Sequence, residues 1–183
     1  MSDATMKKQL SSMVIGLSLA MTVGSVSADG VGPYYATPSW DQQLPASSRF
    51  VVLSNWGDQA ALDRETGLVW QTNLASNSNG YTGASQACLL SKVGGRGGWR
   101  LPTIQELLRT LVSTNGLLIA GSPFSFLGQG TQIFWSTTAE LGGYQWVAVT
   151  NAQQQASAGT MDIAVDQAGA WCVQSPAAGA PIQ

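Results

Sequence analysis

Histidine is absent from the 183 residues, and that absence removes a large share of enzyme chemistry. Without imidazole there is no Ser-His-Asp or Cys-His nucleophile and no zinc site built on histidine nitrogen. The chain has two cysteines, too few to fill a structural zinc site alone. Charge is scarce as well: 10% of residues are Asp, Glu, Lys or Arg, against about a quarter in an ordinary globular protein. Asp63, Glu65, Glu106, Asp162 and Asp166 are scattered, so paired-carboxylate chemistry would depend on folding to bring two together. The chain is read as non-catalytic, with no cofactor and no metal.

Long apolar runs are scarce as well, and the one near the N-terminus reads as a cleaved signal, with a retained membrane anchor as the alternative. The apolar run Met13 to Val23 is short for a hydrocarbon core of ~30 Å. Lys7 and Lys8 precede it, and the small residues Val26-Ser27-Ala28 follow it. That tripartite pattern is expected of a secretory signal peptide over residues 1–28, cleaved between Ala28 and Asp29. Its removal takes away Lys7, Lys8 and Asp3, leaving six basic and nine acidic residues, a net charge near −3. Such a balance gives no field for gathering phosphate backbones or anionic membranes, so nucleic acid is not an expected partner. A periplasmic or extracellular location follows, with no membrane span once the signal is removed. In that oxidising setting Cys88 and Cys172 are expected to form a disulfide, two free buried thiols being the alternative.

The hydrophobic share is 44%, with 21 glycines and 7 tryptophans, which suits short strands and loops around an aromatic core. Residues 29–48 have no periodicity and read as an extended N-terminal arm. Residues 49–175 form one domain, and 176–183, with two prolines, a flexible tail. Phe50 to Leu53 is a strand, Asn55 to Asp58 a turn, and Ala60–Asp63 with Leu68–Gln71 a hairpin closed by Gly67. Asn73 to Gly80 reads as a polar loop. A first helix runs from Thr82 to about Val93, stopped by Gly94-Gly95. Thr103 and Glu106 form a capping box for a second helix, with Ile104, Leu107, Leu108 and Leu111 on one face. Residues 113–131 form a long connection, tucked onto the core by Phe124, Phe126 and Leu127. Strands are expected at Ile133–Thr137, Tyr144–Thr150, Met161–Val165 and Ala170–Gln174, separated by Gly142-Gly143 and Gln167-Ala168-Gly169. Helices followed by strands make an α+β order.

Arg96, Trp99 and Arg100 are the densest cation–aromatic cluster. Guanidinium and indole suit an acidic or sulfated sugar; alternatively Trp99 is core and Arg100 pairs with Glu106. Trp135, Trp146 and Trp171 fit core positions in strands, whereas Trp40 and Trp56 lie in irregular segments and are candidates for exposure. Arg96, Trp99, Arg100 and Trp56 are the candidate ligand-binding residues. The run Gly94 to Gly98 lacks the Lys-Ser/Thr pair of a phosphate-binding loop and reads as a turn beside packed aromatics.

Several segments in order carry a family resemblance: Asp63-Arg64-Glu65-Thr66-Gly67-Leu68-Val69-Trp70, Ala87-Cys88-Leu89-Leu90, and Gly97-Gly98-Trp99-Arg100-Leu101-Pro102-Thr103. Phe134-Trp135-Ser136-Thr137-Thr138, Trp146 to Val149 and Trp171-Cys172-Val173 complete the series. The chain resembles the Lcl C-terminal-like domain family over roughly residues 50–175. The resemblance implies an exported α+β domain related to C-type lectins, with two helices packed on short antiparallel strands and one disulfide. The family takes its name from a bacterial collagen-like adhesin that binds sulfated glycosaminoglycans. Members often carry arginines around the final cysteine, where this chain has Trp171 and Gln174; it also has no collagen-like Gly-X-Y run and no clustered calcium ligands. The expected function is an exported module binding carbohydrate or another surface ligand. A structural or assembly subunit of a bacterial surface structure is the alternative, and a homo-oligomer is open to either.

Overall fold

The capping box organises the second half of the fold. In the computed structural model, which describes residues 44–112, 122–127, 130–151, 153 and 155–175, the Thr103 hydroxyl accepts from the Glu106 amide at 3.2 Å. The Glu106 carboxylate accepts from the Thr103 amide at 2.7 Å. The helix so started is Ile104–Leu111, and it buries Ile104, Leu107 and Leu111. The expected signal peptide, the expected arm as far as residue 43 (with Trp40), most of the 113–131 connection and the expected tail from 176 lie outside the described residues.

The described elements are α1 (Ala46–Arg49), β1 (Phe50–Val52), β2 (Ala60–Asp63), β3 (Val69–Gln71), β4 (Ser76–Asn79), α2 (Tyr81–Leu90) and α3 (Ile104–Leu111). They continue with β5 (Gln132–Ala139), β6 (Tyr144–Thr150), β7 (Ala156–Asp162), β8 (Ala168–Ala170) and β9 (Val173–Gln174). The strands form a four-stranded sheet in the order β1-β2-β3-β9 and a five-stranded sheet in the order β4-β8-β5-β6-β7. Pairing is antiparallel except between β5 and β8, which meet in parallel at Phe134 and Gly169. The expected α+β architecture is observed, with that one parallel contact added.

Neighbouring residues on the central strands point into different apolar clusters, as the two-residue period of a strand requires. Trp70, Phe134, Ala148, Trp171 and Val173 join α3's Leu107 and Leu111 in one cluster. Val69, Trp135, Val147 and Cys172 join Ala84 and Cys88 of α2, with Trp99 and Leu101, in the other. Trp171 is the hub of the first cluster, with ring centroids of Trp70 at 4.4 Å, Phe124 at 4.8 Å and Phe126 at 5.2 Å. Its indole N–H donates to the Gln71 carbonyl at 2.9 Å. The 113–131 connection is thus tucked in by Phe124 and Phe126, as expected. The Cys88–Cys172 disulfide is formed and lies fully buried in the second cluster.

Five expectations need correction. The arm is not wholly extended: residues 46–49 form the helical turn α1. The 73–80 loop contains β4, whose Ser and Asn residues pair with β8 because an adjacent strand offers backbone partners. Helix α2 begins at Tyr81 after Gly80, with no side-chain cap, and stops at Leu90 because Ser91 is extended; Val93–Gly95 is a separate 3-10 turn. The strand expected at 161–165 runs instead from Ala156 to Asp162, and residues 163–165 turn. The segment 170–174 is not one strand, and Gln167-Ala168-Gly169 is not its turn. Ala168–Ala170 belongs to one sheet and Val173–Gln174 to the other, so Trp171 and Cys172 lie where the chain crosses between them.

Candidate functional site

The segment 91–101 decides the fate of all four candidate ligand residues. Gly94 takes φ +66°, and a Cβ there would lie 2.6 Å from the Trp56 ring. A left-handed conformation and a close approach both require glycine at this position. Trp56, on the 3-10 turn Ser54–Trp56, is therefore clasped by the 93–95 turn and half-buried. The Arg96 guanidinium lies 4.8 Å from the Trp56 ring centroid, while Trp99 meets that ring edge-on at 6.3 Å.

Trp99 is only 1% exposed, and its indole N–H donates to the Arg96 carbonyl at 3.0 Å. It is packed in the core and anchors the loop that carries Arg96. Arg100 grips Glu106 through two hydrogen bonds of 2.8 and 2.7 Å. Its guanidinium pKa is raised, chiefly by that hydrogen bond, against the opposing effect of burial. Burial alone would push the Glu106 carboxyl up, but hydrogen bonds from Arg100 and Thr103, with the Arg100 charge, hold it below the ordinary range. Arg100 is thus committed to a carboxylate. Of the four candidates, Trp56 and Arg96 lie against one another with surface open to solvent, while Arg100, also partly exposed, is turned to Glu106.

Two clefts flank Leu74, on the β3–β4 connection, and neither was legible in the sequence. The larger, about 420 Å³, has Gln59, Gln71, Asn73 and Ser91 facing Leu90 and Val93. Gln71 is fixed there by a 2.6 Å hydrogen bond from its amide to the Ser91 hydroxyl. The smaller, about 260 Å³, sets Asn77, Thr131, Gln132 and Gln167 over Ile133 and Phe134. The Gln132 side-chain oxygen is buried there without a hydrogen-bond partner. Among the described residues no ionisable side chain lines either cleft. Amides donate and accept at once, so such walls match hydroxyl groups, which do the same. The signal was present only as polar residues in loops, and folding decided which of them converge. Among the described residues no three carboxylates or thiols group closely enough to hold a metal ion.

The family model of the Lcl C-terminal domain matches residues 59–174. The chain belongs to the Lcl C-terminal domain family. Its match begins at Gln59 beside the larger cleft and ends at Gln174 in β9. The disulfide, the Trp171 hub and the 97–106 segment all fall within it. No curated protein matches the chain. Family membership makes it a module of the kind used in secreted and surface proteins, and no described helix is long and apolar enough to cross a membrane.

Proposed function

We propose that the chain is an exported, non-catalytic binding module of lectin-like fold, whose ligand is uncharged and rich in hydroxyl groups, carbohydrate foremost. The observation that carries this reading is the lining of the two clefts: amide and hydroxyl groups, apolar walls and, among the described residues, no ionisable side chain. Support for export comes from the Lys7-Lys8 and Met13–Val23 pattern and from the buried disulfide. Arg100 is paired with Glu106 and Arg49 with two carboxylates, so two of the six basic residues beyond residue 28 are spent, and the nine acidic ones outnumber them all.

Titration of the mature protein with neutral oligosaccharides, followed by side-chain amide resonances, tests the proposal. Shifts are expected at Gln59, Asn73 and Gln132, alike at low and physiological salt and unaffected by a chelator, because no ion pair is screened. Replacing exposed Gln59 and Asn73 together by Ala is expected to weaken binding about tenfold, for two hydrogen bonds of about 1 kcal/mol discounted for solvent. Binding of sulfated glycans alone, falling steeply with salt and shifting only Lys92 and Arg96, would overturn the reading.

A further inference from the structure

Among the described residues, the outer edge of β7 is the longest strand edge without a hydrogen-bonded neighbour. β7 pairs with β6 along its whole length, from Ala156 opposite Thr150 to Asp162 opposite Tyr144. At the two ends, the Asn151 amide donates to the Gln155 carbonyl and the Ile163 amide to the Gly143 carbonyl. Hydrogen-bonding direction alternates along a strand, so odd-numbered residues of β7 bond to β6 and even-numbered ones point outward. The outward groups of Asp162 are already taken by its own turn: its amide donates to the Asp166 carboxylate at 2.8 Å, and its carbonyl accepts from the Asp166 amide at 3.0 Å. The amides and carbonyls of Ala156, Ala158 and Thr160 remain, and no described residue bonds to them.

Edge strands are ordinarily protected by charge, proline, bulges or shortness. β1 and β9, the edges of the other sheet, are three and two residues long. β4, the other edge of the five-stranded sheet, is four residues long and its pairing with β8 shifts register between Ser76 and Asn79. α3 packs against β7 as it does against β5 and β6, across the face of the sheet and not along the outer edge of one strand. β7 has seven residues, reads Ala-Ser-Ala-Gly-Thr-Met before its terminal Asp162, and shows no register shift against β6.

We propose that this edge is a docking surface for a second copy of the chain, paired antiparallel about a two-fold axis at Ala158. The register follows from the free groups. Hydrogen-bonded pairs form only between outward-facing residues, so Ala158 meets its own copy and Ala156 meets Thr160 on either side. This register uses every free amide and carbonyl. Moving the axis to Gly159 would set Ala156 against the occupied Asp162. Side chains that meet across the axis are Ala, Ser, Gly and Thr, with neither bulk nor charge to keep the strands apart. Each Asp162 stands four residues from the axis, at opposite ends of the paired strands. Their separation of about 27 Å, from about 3.4 Å per residue, exceeds the roughly 8 Å over which charge acts in physiological salt. The interface joins two five-stranded sheets into one, and is independent of the clefts beside Leu74. An edge of small residues buries less than a standard interface of about 1,600 Å², so the pairing is concentration-dependent.

The experiment is sedimentation of the mature protein from low micromolar to millimolar concentration, with hydrogen exchange at the β7 amides. The wild-type mass is expected to shift toward that of a dimer, while Ala156, Ala158 and Thr160 gain protection. Ala158→Pro removes an amide that bonds to no described residue, so the fold survives and the dimer is lost. Ala158→Lys places two like charges opposite one another and also abolishes pairing, whereas mixing A158K with A158E restores it as a heterodimer. A wild-type protein that stays monomeric throughout, or a dimer indifferent to A158P, would overturn the proposal. Protection of these amides only when some other extended chain is added would overturn the choice of a second copy.

Discussion

Arg49 and Arg100 hold their carboxylates with the same geometry in different surroundings. Arg49 bonds Asp63 at 2.8 and 2.7 Å, and Arg100 bonds Glu106 at 2.8 and 2.7 Å. The first pair is 3% and 0% exposed and is joined by Glu65 at 3.2 Å; the second is 38% and 22% exposed. Arg49 also donates to the Arg109 carbonyl in the last turn of α3, and Glu65 accepts from the Leu44 amide. One cluster ties α1, the β2–β3 hairpin and α3 together in a nearly dry space, while the other fastens a helix start to a surface loop. Distance alone does not set the worth of an ion pair. Water decides it, because it weakens the attraction at the surface and its removal makes any unpaired charge costly in the interior.

The largest effect is expected from Arg49→Met, which leaves Asp63 and Glu65 buried without their cation. It should cost about 3–5 kcal/mol of stability in denaturant unfolding. Replacing all three residues by apolar side chains should recover most of that loss, since the partnerless groups cause it. A single-variant loss below about 1 kcal/mol, the value of an exposed pair, would erase the contrast.

Glu106→Gln should cost less, about 1–2 kcal/mol, because it weakens a helix cap and a half-exposed ion pair together. Its pH dependence has a definite sign. The folded-state pKa of Glu106 is lowered, so its contribution is fully present above the unfolded value of about 4.3. The contribution is lost as pH falls through the lower folded value. Unfolding curves of wild type and variant should therefore differ at neutral pH and converge in acid; a constant gap would assign the effect to packing. Arg100→Ala is the smallest change, about 1 kcal/mol or less after solvent screening, and should shrink as salt is raised. The loss for Arg49→Met should hardly respond to salt, and an equal response at both sites would remove the distinction drawn here.

How much of this was legible follows from how local each signal is. The Arg100–Glu106 pair was open to reading because six residues and a capping box separate the partners. Arg49 was not, because its carboxylates are 14 and 16 residues away on another strand and its turn. The β2–β3 hairpin declared itself through Gly67, whose φ of +71° closes the turn. β4 gave no sign and β7 showed only its Met161 end, since Ser, Asn, Ala and Gly have little preference for strands. The candidate site was the least legible part. Trp99 and Arg100 are the dense features of the sequence, yet folding commits one to the core and the other to Glu106. The amides that line the clefts look ordinary until β3, β4, α2 and β5 bring them together.

The sequence by itself determined α3 and its cap, the hairpin, the α+β order, the pairing of its two cysteines and the family. Each of these rests on neighbours along the chain or on composition, and local chemistry is enough to express them. Only the tertiary structure decided which strands of small residues exist, where 168–174 divides between two sheets, and which arginines are spent on carboxylates. It also decided that uncharged clefts open beside Leu74 and that no described residue bonds to the outer edge of β7 at Ala156, Ala158 and Thr160. Those outcomes depend on backbone groups and water excluded by residues far away in the chain, which no local pattern encodes.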